Sequence, residues 1–423
     1  MHEDKFKTLI LCSLGGALEF FDFIIFALMS IQLSQLFFPT QAPFSALLAT
    51  FSTFAIGYFA RPIGGMVFGH FGDKYGRKQT FTFSVIVMAA ATFIIGCIPT
   101  YNSIGIYAPL LLIVFRFMQG LSIGGEIPGA ITYLSEYWPQ RKGLSIGWIF
   151  FCIQAGIAFG FFTQYLLTRY LTNEELLAFG WRIPFYLGGV FGCIAYILRK
   201  KLAECSNFLP FIAKQTPYPA IYVMKYHKRA LIIATLLMAY TGLPLALLFI
   251  LLPTYLKTIT GTYEVDLLSQ ALAMLSAAIV ALVVGYLCDK LTKKIFCWCY
   301  AFASILGGLP IFMIYNTHIT WFYLAYFISV IVTGLVSGSA PTLLAQLFPK
   351  KVRYSGIGIS YNIGIGVLTG LIPLIMFSGI SYFKEPLFPA YILMFNGILM
   401  IVALILLNRK IAFSTLRDIT KNI

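Results

Sequence analysis

Roughly twelve runs of mostly apolar residues, parted by short polar segments, restrict what this chain can fold into more than any other feature. They lie at about 8 to 37, 44 to 70, 80 to 99, 104 to 134, 143 to 168, 182 to 199, 229 to 256, 267 to 288, 295 to 315, 321 to 347, 355 to 378 and 387 to 408. A helix needs about 20 such residues to cross a hydrocarbon core about 30 Å thick. In lipid the backbone has no water to bond, so each run must satisfy its own amides and carbonyls as a helix. With 59% hydrophobic and 11% charged residues, the 423-residue chain lacks the polar surface of a soluble globule. The expected fold class is an all-α membrane protein with twelve transmembrane helices in two six-helix bundles. The first run holds Glu19 and Asp22, is too long and polar for a cleaved signal peptide, and is expected to be retained.

Charge sets the expected orientation. Most of the 30 Lys and Arg residues fall in alternate loops and in the tails: Lys5 and Lys7; Lys74, Arg77 and Lys78; Arg141 and Lys142; Arg199 to Arg229; Lys290, Lys293 and Lys294; Lys350, Lys351 and Arg353; and the stretch from Arg409 to Lys421. The opposite loops hold only Arg169, Arg182, Lys257 and Lys384, so both termini are expected in the cytosol. The net charge of +15 is thus mainly topology, and no nucleic-acid partner is expected. The eight cysteines show no metal spacing and read as small packing residues.

The chain repeats itself. Gly69-His70-Phe71-Gly72-Asp73-Lys74-Tyr75-Gly76-Arg77-Lys78 reads as a hinge between two helices, with glycines allowing a tight turn. A weaker copy begins at Gly285 and contains Asp289, Lys290 and Lys294, each 216 residues further on. Likewise Glu136-Tyr137-Trp138-Pro139-Gln140-Arg141-Lys142 is echoed by Gln346-Leu347-Phe348-Pro349-Lys350-Lys351. Two halves of one design are a sign of a transporter built from repeats. The expected division is residues 1–199, a cytoplasmic linker at 200–228, and 229–423 with a short tail of 14 residues after Arg409. Such a tail is too short for a coiled coil of several heptads or a soluble domain.

These signatures resemble the major facilitator superfamily. Its loop between helices 2 and 3 carries Gly-x-x-x-Asp-Arg/Lys-x-Gly-Arg-Arg/Lys, matched by Gly69, Asp73, Lys74, Gly76, Arg77 and Lys78. Arg116-Phe117-Met118-Gln119-Gly120 is similar to the helix 4 element Arg-x-x-Gln-Gly. Glu19-Phe20-Phe21-Asp22-Phe23, Arg61-Pro62-Ile63-Gly64-Gly65, Gly124-Gly125-Glu126, Phe348-Pro349 with Arg353-Tyr354 and Gly356, and Tyr361-Asn362-Ile363-Gly364 resemble the metabolite:proton symporter family. That family takes up proline and betaine, alpha-ketoglutarate, citrate and shikimate, which implies a bacterial inner-membrane location. Two segments depart from the pattern: Gly15-Gly16-Ala17 stands where many members have Gly-Asn, and the second hinge lacks its Arg. Helix 5 lacks the proline of drug antiporters, which favours uptake. The resemblance also implies that Asp73 holds the inward gate shut against the start of helix 11 near Gly356, and that Arg77 pairs with Glu136.

Glu19, Asp22, Arg61, Arg116 and Glu126 are read as the ionisable residues inside the spans. Each costs roughly 2.5 to 3.5 kcal/mol at the bilayer centre, so it must pair or face a wet cavity. Arg61 lies twelve residues before Asp73, about 18 Å from the cytosolic edge and near the midplane. Glu19 and Asp22 share one helix face, as proton carriers or as a pair neutralised by Arg61 or Arg116. Arg116 and Arg61 are candidates for a substrate carboxylate, because a guanidinium offers a planar fork. Gln119, Gln154, Tyr361 and Asn362 are candidate cavity residues. Gly69, Asp73, Arg77, Glu126, Glu136 and Asp289 are candidate gating residues.

The expected function is proton-coupled import of a small carboxylate-bearing metabolite by alternating access. The alternatives are a proline/betaine-type osmolyte carrier, a carrier of polycarboxylates or citrate-based iron chelates, and a receptor that does not transport. No cofactor, metal site or enzymatic activity is expected, since no nucleotide-binding loop or catalytic set accompanies the helices. The expected partners are a small-molecule substrate, a proton and the lipid bilayer, with the protein monomeric.

Overall fold

The computed structural model describes residues 2–39, 43–200, 218–256, 259, 266–317 and 321–419, with backbone alone at 2–5, 43–48, 51, 77, 317 and 409–419. The described residues are almost wholly helical and include no strand. The long helices are α1 (His2–Leu28), α2 (Pro43–Tyr75), α3 (Arg77–Cys97), α4 (Tyr107–Tyr137), α5 (Lys142–Tyr170) and α6 (Ile183–Arg199), then α7 (Lys228–Leu245), α8 (Leu267–Leu287), α9 (Lys293–Thr317), α10 (Phe322–Leu347), α11 (Arg353–Tyr361) and α12 (Phe388–Ile419). Wider π turns at Ala246–Ile250 and Asn362–Leu368 extend α7 and α11, which continue as Leu252–Tyr255 and Ile372–Phe383. Eleven helices among the described residues are long and apolar enough to cross a membrane, and the 33-residue α2, with Arg61 inside it, takes the place of a twelfth.

Several expected boundaries move for physical reasons. The first run breaks at Met29 into α1 and a short helix, Ser30–Phe37. The hinge at residues 69–78 shrinks to Gly76, whose φ of 124° suits only glycine, while α2 stays helical to Tyr75. Gly69 serves approach rather than turning: a Cβ there would lie 2.8 Å from the Ser355 Cα of α11. Most of the expected linker lies outside the described residues, and its end forms a helix, Pro219–Tyr226, packed on α2 and α11. Arg199, expected to open that cytoplasmic linker region, is instead fully buried at the end of α6.

In the first half α2 packs on α4, α1 on α5 and α3 on α6; in the second, α9 packs on α12 and α8 on α10. Across the halves the main contacts are α5 with α8 and α2 with α11. Glycine makes the first of these possible. A Cβ on Gly285 would lie 2.6 Å from the Gly147 Cα and 2.7 Å from the Gly143 carbonyl oxygen, so the two backbones touch. One body of buried apolar side chains runs through both halves, from Leu9 to Leu407. A separate body, from Phe21 to Phe185, includes Met29, Ile98, Leu176 and Trp181 at the end away from the hinges, and no residue of the second half belongs to it. The shared body therefore joins the halves, and the second body belongs to the first half alone.

Gly285→Val is expected to lower the melting temperature in detergent by several degrees, because overpacking against backbone costs roughly 1 to 3 kcal/mol. Gly307→Ala serves as the control, since a Cβ there meets only the Ile311 Cδ1 at 3.7 Å, and it should leave the melting temperature unchanged or raise it. Equal melting temperatures for Gly285→Val and wild type would show that the α5–α8 contact is not tight.

Candidate functional site

At the hinge end two aspartates close the halves in matching ways. Asp73, at the foot of α2, accepts hydrogen bonds from the backbone amides of Tyr354 at 3.3 Å and Ser355 at 2.8 Å, in the first turn of α11. Asp289, just after α8, accepts from the amides of Gly143 at 2.7 Å and Leu144 at 2.8 Å, in the first turn of α5. The first amides of a helix have no partner inside it and carry the positive end of its dipole, so a carboxylate there gains both hydrogen bonds and charge attraction. Glu136 of α4 pairs with Arg353 of α11 at 2.8 Å, and the Tyr354 hydroxyl donates to the Gly125 carbonyl at 2.7 Å. The side chain of Arg77, expected against Glu136, lies outside the described residues.

Deeper in the first half, six ionisable side chains are almost wholly out of solvent: Glu19, Asp22, Arg61, Arg116, Glu126 and Arg199. Arg116 pairs with Asp22 at 3.3 Å and donates to Gln119 at 3.0 Å. The Gln119 amide donates at 2.8 Å to both Asp22 and Thr92. Phe26 and Phe54 flank the Arg116 guanidinium at 4.3 and 5.1 Å from their centroids. This set joins α1, α3 and α4 through the Arg116 Nη1, while the Arg116 Nε and the Asp22 Oδ1 have no hydrogen-bond partner among the described residues. Glu126 pairs with Arg199 at 2.6 Å and accepts from Ser84 at 2.9 Å.

Glu19 and Arg61 stand differently. Among the described residues neither carboxylate oxygen of Glu19 has a hydrogen-bond partner. Arg61 lies against the rings of Tyr58 at 4.8 Å, Phe23 at 5.0 Å and Phe20 at 6.0 Å. It makes no ion pair within 4.0 Å among the described residues, yet it is the charge that acts most strongly on Glu19. The Tyr361 hydroxyl of α11, acted on by both charges, is buried and unpartnered. Asn362 is already engaged, donating to the Gly124 and Gly358 carbonyls at 2.8 and 2.7 Å. The Gln154 amide oxygen is buried and unpartnered on α5. A separate cavity of about 450 Å³ between α7, α11 and α12 is lined mainly by apolar groups, including Leu236, Ile372 and Phe395, and holds none of these charges.

Sequence reasoning missed Arg199, because Arg199-Lys200-Lys201 looks like an ordinary cytosolic basic run. A signal was present: three acids against two bases within the spans left one acid without a counter-charge.

Asp73→Asn keeps the shape but removes the charge, and hydrogen bonds to charged groups contribute roughly 1.5 to 3 kcal/mol. Opening at the hinge end should become about tenfold more populated. In a protein with Cys288 as its only cysteine, maleimide labelling of this buried thiol should rise accordingly in Asp73→Asn and in Asp289→Asn. Unchanged labelling in both would show that the aspartates do not hold this end shut.

Comparison with known proteins fits this geometry. Residues 12–373 match the model of the Major Facilitator Superfamily. The glycine betaine/proline/ectoine/pipecolic acid transporter OusA of Dickeya dadantii (strain 3937) is 31% identical over 402 residues, covering 92% of this chain and 80% of the relative. The proline/betaine transporter of Escherichia coli (strain K12) is 30% identical over 404 residues, with the same coverage of 92% and 80%. A structure of the proton:xylose symporter XylE bound to 6-bromo-6-deoxy-D-glucose shares the fold, with a TM-score of 0.73, 15% identity and 94% of both chains covered. The chain therefore belongs to the Major Facilitator Superfamily, as a multi-pass transporter of the bacterial inner membrane.

Proposed function

We propose that this transporter imports a small zwitterion bearing a carboxylate and a cationic nitrogen, of the proline/betaine type, together with a proton. The observation that carries the reading is the pairing of two unmet needs in one place. Glu19 is a buried carboxylate without a hydrogen-bond partner, and Arg61 is a buried guanidinium held among the described residues by rings. A substrate carboxylate on Arg61 and a proton on Glu19 would meet both, and the Phe20 and Phe23 rings offer faces to the substrate's cationic nitrogen. Tyr361 gives the second half a hydroxyl at the same place, so binding would draw the halves together.

The names of the relatives support this substrate class: betaine, proline, ectoine and pipecolic acid each combine a carboxylate with a cationic nitrogen. A polycarboxylate or citrate-based iron chelate fits less well. The buried set has three acids and three guanidiniums, so it offers no excess of positive charge. Transport would follow alternating access of two six-helix bundles, residues 1–199 and 229–423, joined by the 200–228 linker. The hinge end, which carries the basic loops, would face the cytosol with both termini. The arrangement described here is closed at the hinge end and so corresponds to a state shut toward the cytosol. Glu19 and Asp22 are the candidate proton carriers. Asp22 is already paired with Arg116, so Glu19 is the better placed of the two.

Two arginine variants test the assignment in purified protein. Arg61→Lys keeps the charge and loses the fork, so the Kd for proline or betaine should rise roughly 10- to 100-fold with little change in melting temperature. Arg116→Lys disturbs a pair already formed, so its melting temperature should fall while the Kd changes little. The reverse pattern would move the substrate carboxylate to Arg116. In proteoliposomes, substrate-driven proton entry should vanish in Glu19→Gln while exchange of labelled for unlabelled substrate persists. Binding without any flux in the wild type would favour a receptor.

A further inference from the structure

The Glu126–Arg199 pair has no part in the reading above, yet it ties together four helices of the first half. Arg199 lies 2.6 Å from Glu126 and donates to the carbonyls of Cys12 at 2.9 Å, Leu11 at 3.2 Å and Phe81 at 3.4 Å. Its guanidinium stacks over the Phe81 ring, 3.8 Å from the centroid. The pair presses directly on α1 at Gly15, where any Cβ would overlap both the Glu126 Oε1 and the Arg199 Nη2. Gly15 precedes Glu19 by four residues, so pair and carboxylate stand one helical turn apart on one face, about 6 Å along the axis.

A structural brace accounts for the bonds to the carbonyls. It does not account for placing a full charge pair one turn from an unpartnered carboxylate, where opposite charges act in a medium that screens them poorly. The groups facing Glu19 are Arg61 from α2, Glu126 from α4, Arg199 from α6, Asp22 from α1 itself and the Tyr361 hydroxyl from α11. Glu126 and Arg199 act on Glu19 in opposite directions. Removing either leaves the other exposed to it.

We propose that the Glu126–Arg199 pair is an electrostatic counterweight that sets how readily Glu19 binds and releases a proton, acting from behind the substrate position without touching substrate. This rests on the reading of Glu19 as a proton carrier. Both members are positioning residues in this sense, and the sign of each one's effect follows from Coulomb's law. Glu126→Gln leaves a lone cation, which favours the Glu19 anion and should move its titration to lower pH. Arg199→Gln leaves a lone anion and should move it to higher pH. The double variant removes both and should return it close to wild type.

The test titrates purified protein by infrared spectroscopy between about pH 5 and pH 9, following the protonated-carboxyl band that Glu19→Gln removes. The two single variants should shift its midpoint in opposite directions by roughly half a pH unit or more, and the double variant should reverse the shift. If Arg199→Gln does not fold, Glu126→Gln and the double variant decide between them. A band that does not titrate, or a midpoint unmoved in Glu126→Gln, overturns the inference, leaving the pair as a brace whose loss lowers only the melting temperature. The failure of the coupling reading looks different. Midpoints that shift while proteoliposomes show no substrate-driven proton entry remove the coupling role of Glu19 and uphold the counterweight, whereas proton entry with fixed midpoints removes the counterweight alone.

Discussion

A charge withdrawn from water must find an opposite charge or a set of dipoles, and the first half of this protein is organised around that requirement. Its three buried guanidiniums each need a counter-charge or a set of acceptors. Two are met directly. Arg116 with Asp22 ties α4 to α1, and Gln119 extends the tie to Thr92 on α3. Arg199 with Glu126 ties α6 to α4, with further bonds to the α1 carbonyls and to Phe81 on α3. Buried pairs of this kind add little net stability, because desolvation offsets most of the attraction. Their value lies in register: a helix that slid past its neighbour would strand a charge. Against this frame, Arg61 and Glu19 are the two that make no ion pair within 4.0 Å among the described residues.

The second half answers no such demand. Among the described residues none of its Asp, Glu, Lys or Arg side chains is fully buried; its interior polar groups are hydroxyls and amides. Tyr326 donates to Gln270 at 2.9 Å and Tyr255 to Asn316 at 2.9 Å, neutral bonds that hold helices together without a counter-ion. Charge chemistry therefore belongs to the first half, and the second supplies walls, hydroxyls and the partner surfaces of the closed end.

Hydropathy made the helices legible, since a run of about 20 apolar residues in lipid has few other outcomes. The repeat made Asp289 legible as the counterpart of Asp73. What escaped depends on depth and on neighbours. Arg199 stands beside Lys200 and Lys201, and nothing local separates a side chain that turns inward from two that follow it in sequence. The glycines of the hinge motif were visible, but their use was not: Gly76 turns the chain, whereas Gly69 lets α11 approach. A one-dimensional pattern records that a small residue is required, not which surface requires it. Likewise Arg61 and Arg116 share residue type and approximate depth, and only the position of Asp22 separates them.

The contact between α2 and α11 joins these observations into a mechanism of coupling. It has three levels along one helix. At the hinge end Asp73 grips the first turn of α11; one step inward, a Cβ on Gly65 would lie 2.6 Å from the Gly358 carbonyl oxygen; deeper still, one on Gly366 would lie 3.6 Å from the Arg61 Cδ. The last level falls within the π turns of α11, where one extra residue per turn loosens the regular bond pattern and lets the helix flex. On the proposed reading, release of Asp73 at one end would be felt at Arg61 at the other, because the two helices approach closely along this contact. A ligand that ties Arg61 to Tyr361 acts on the same pair of helices from the opposite direction. The proposed gate and the proposed binding position are two points on one contact, so neither would change state without biasing the other.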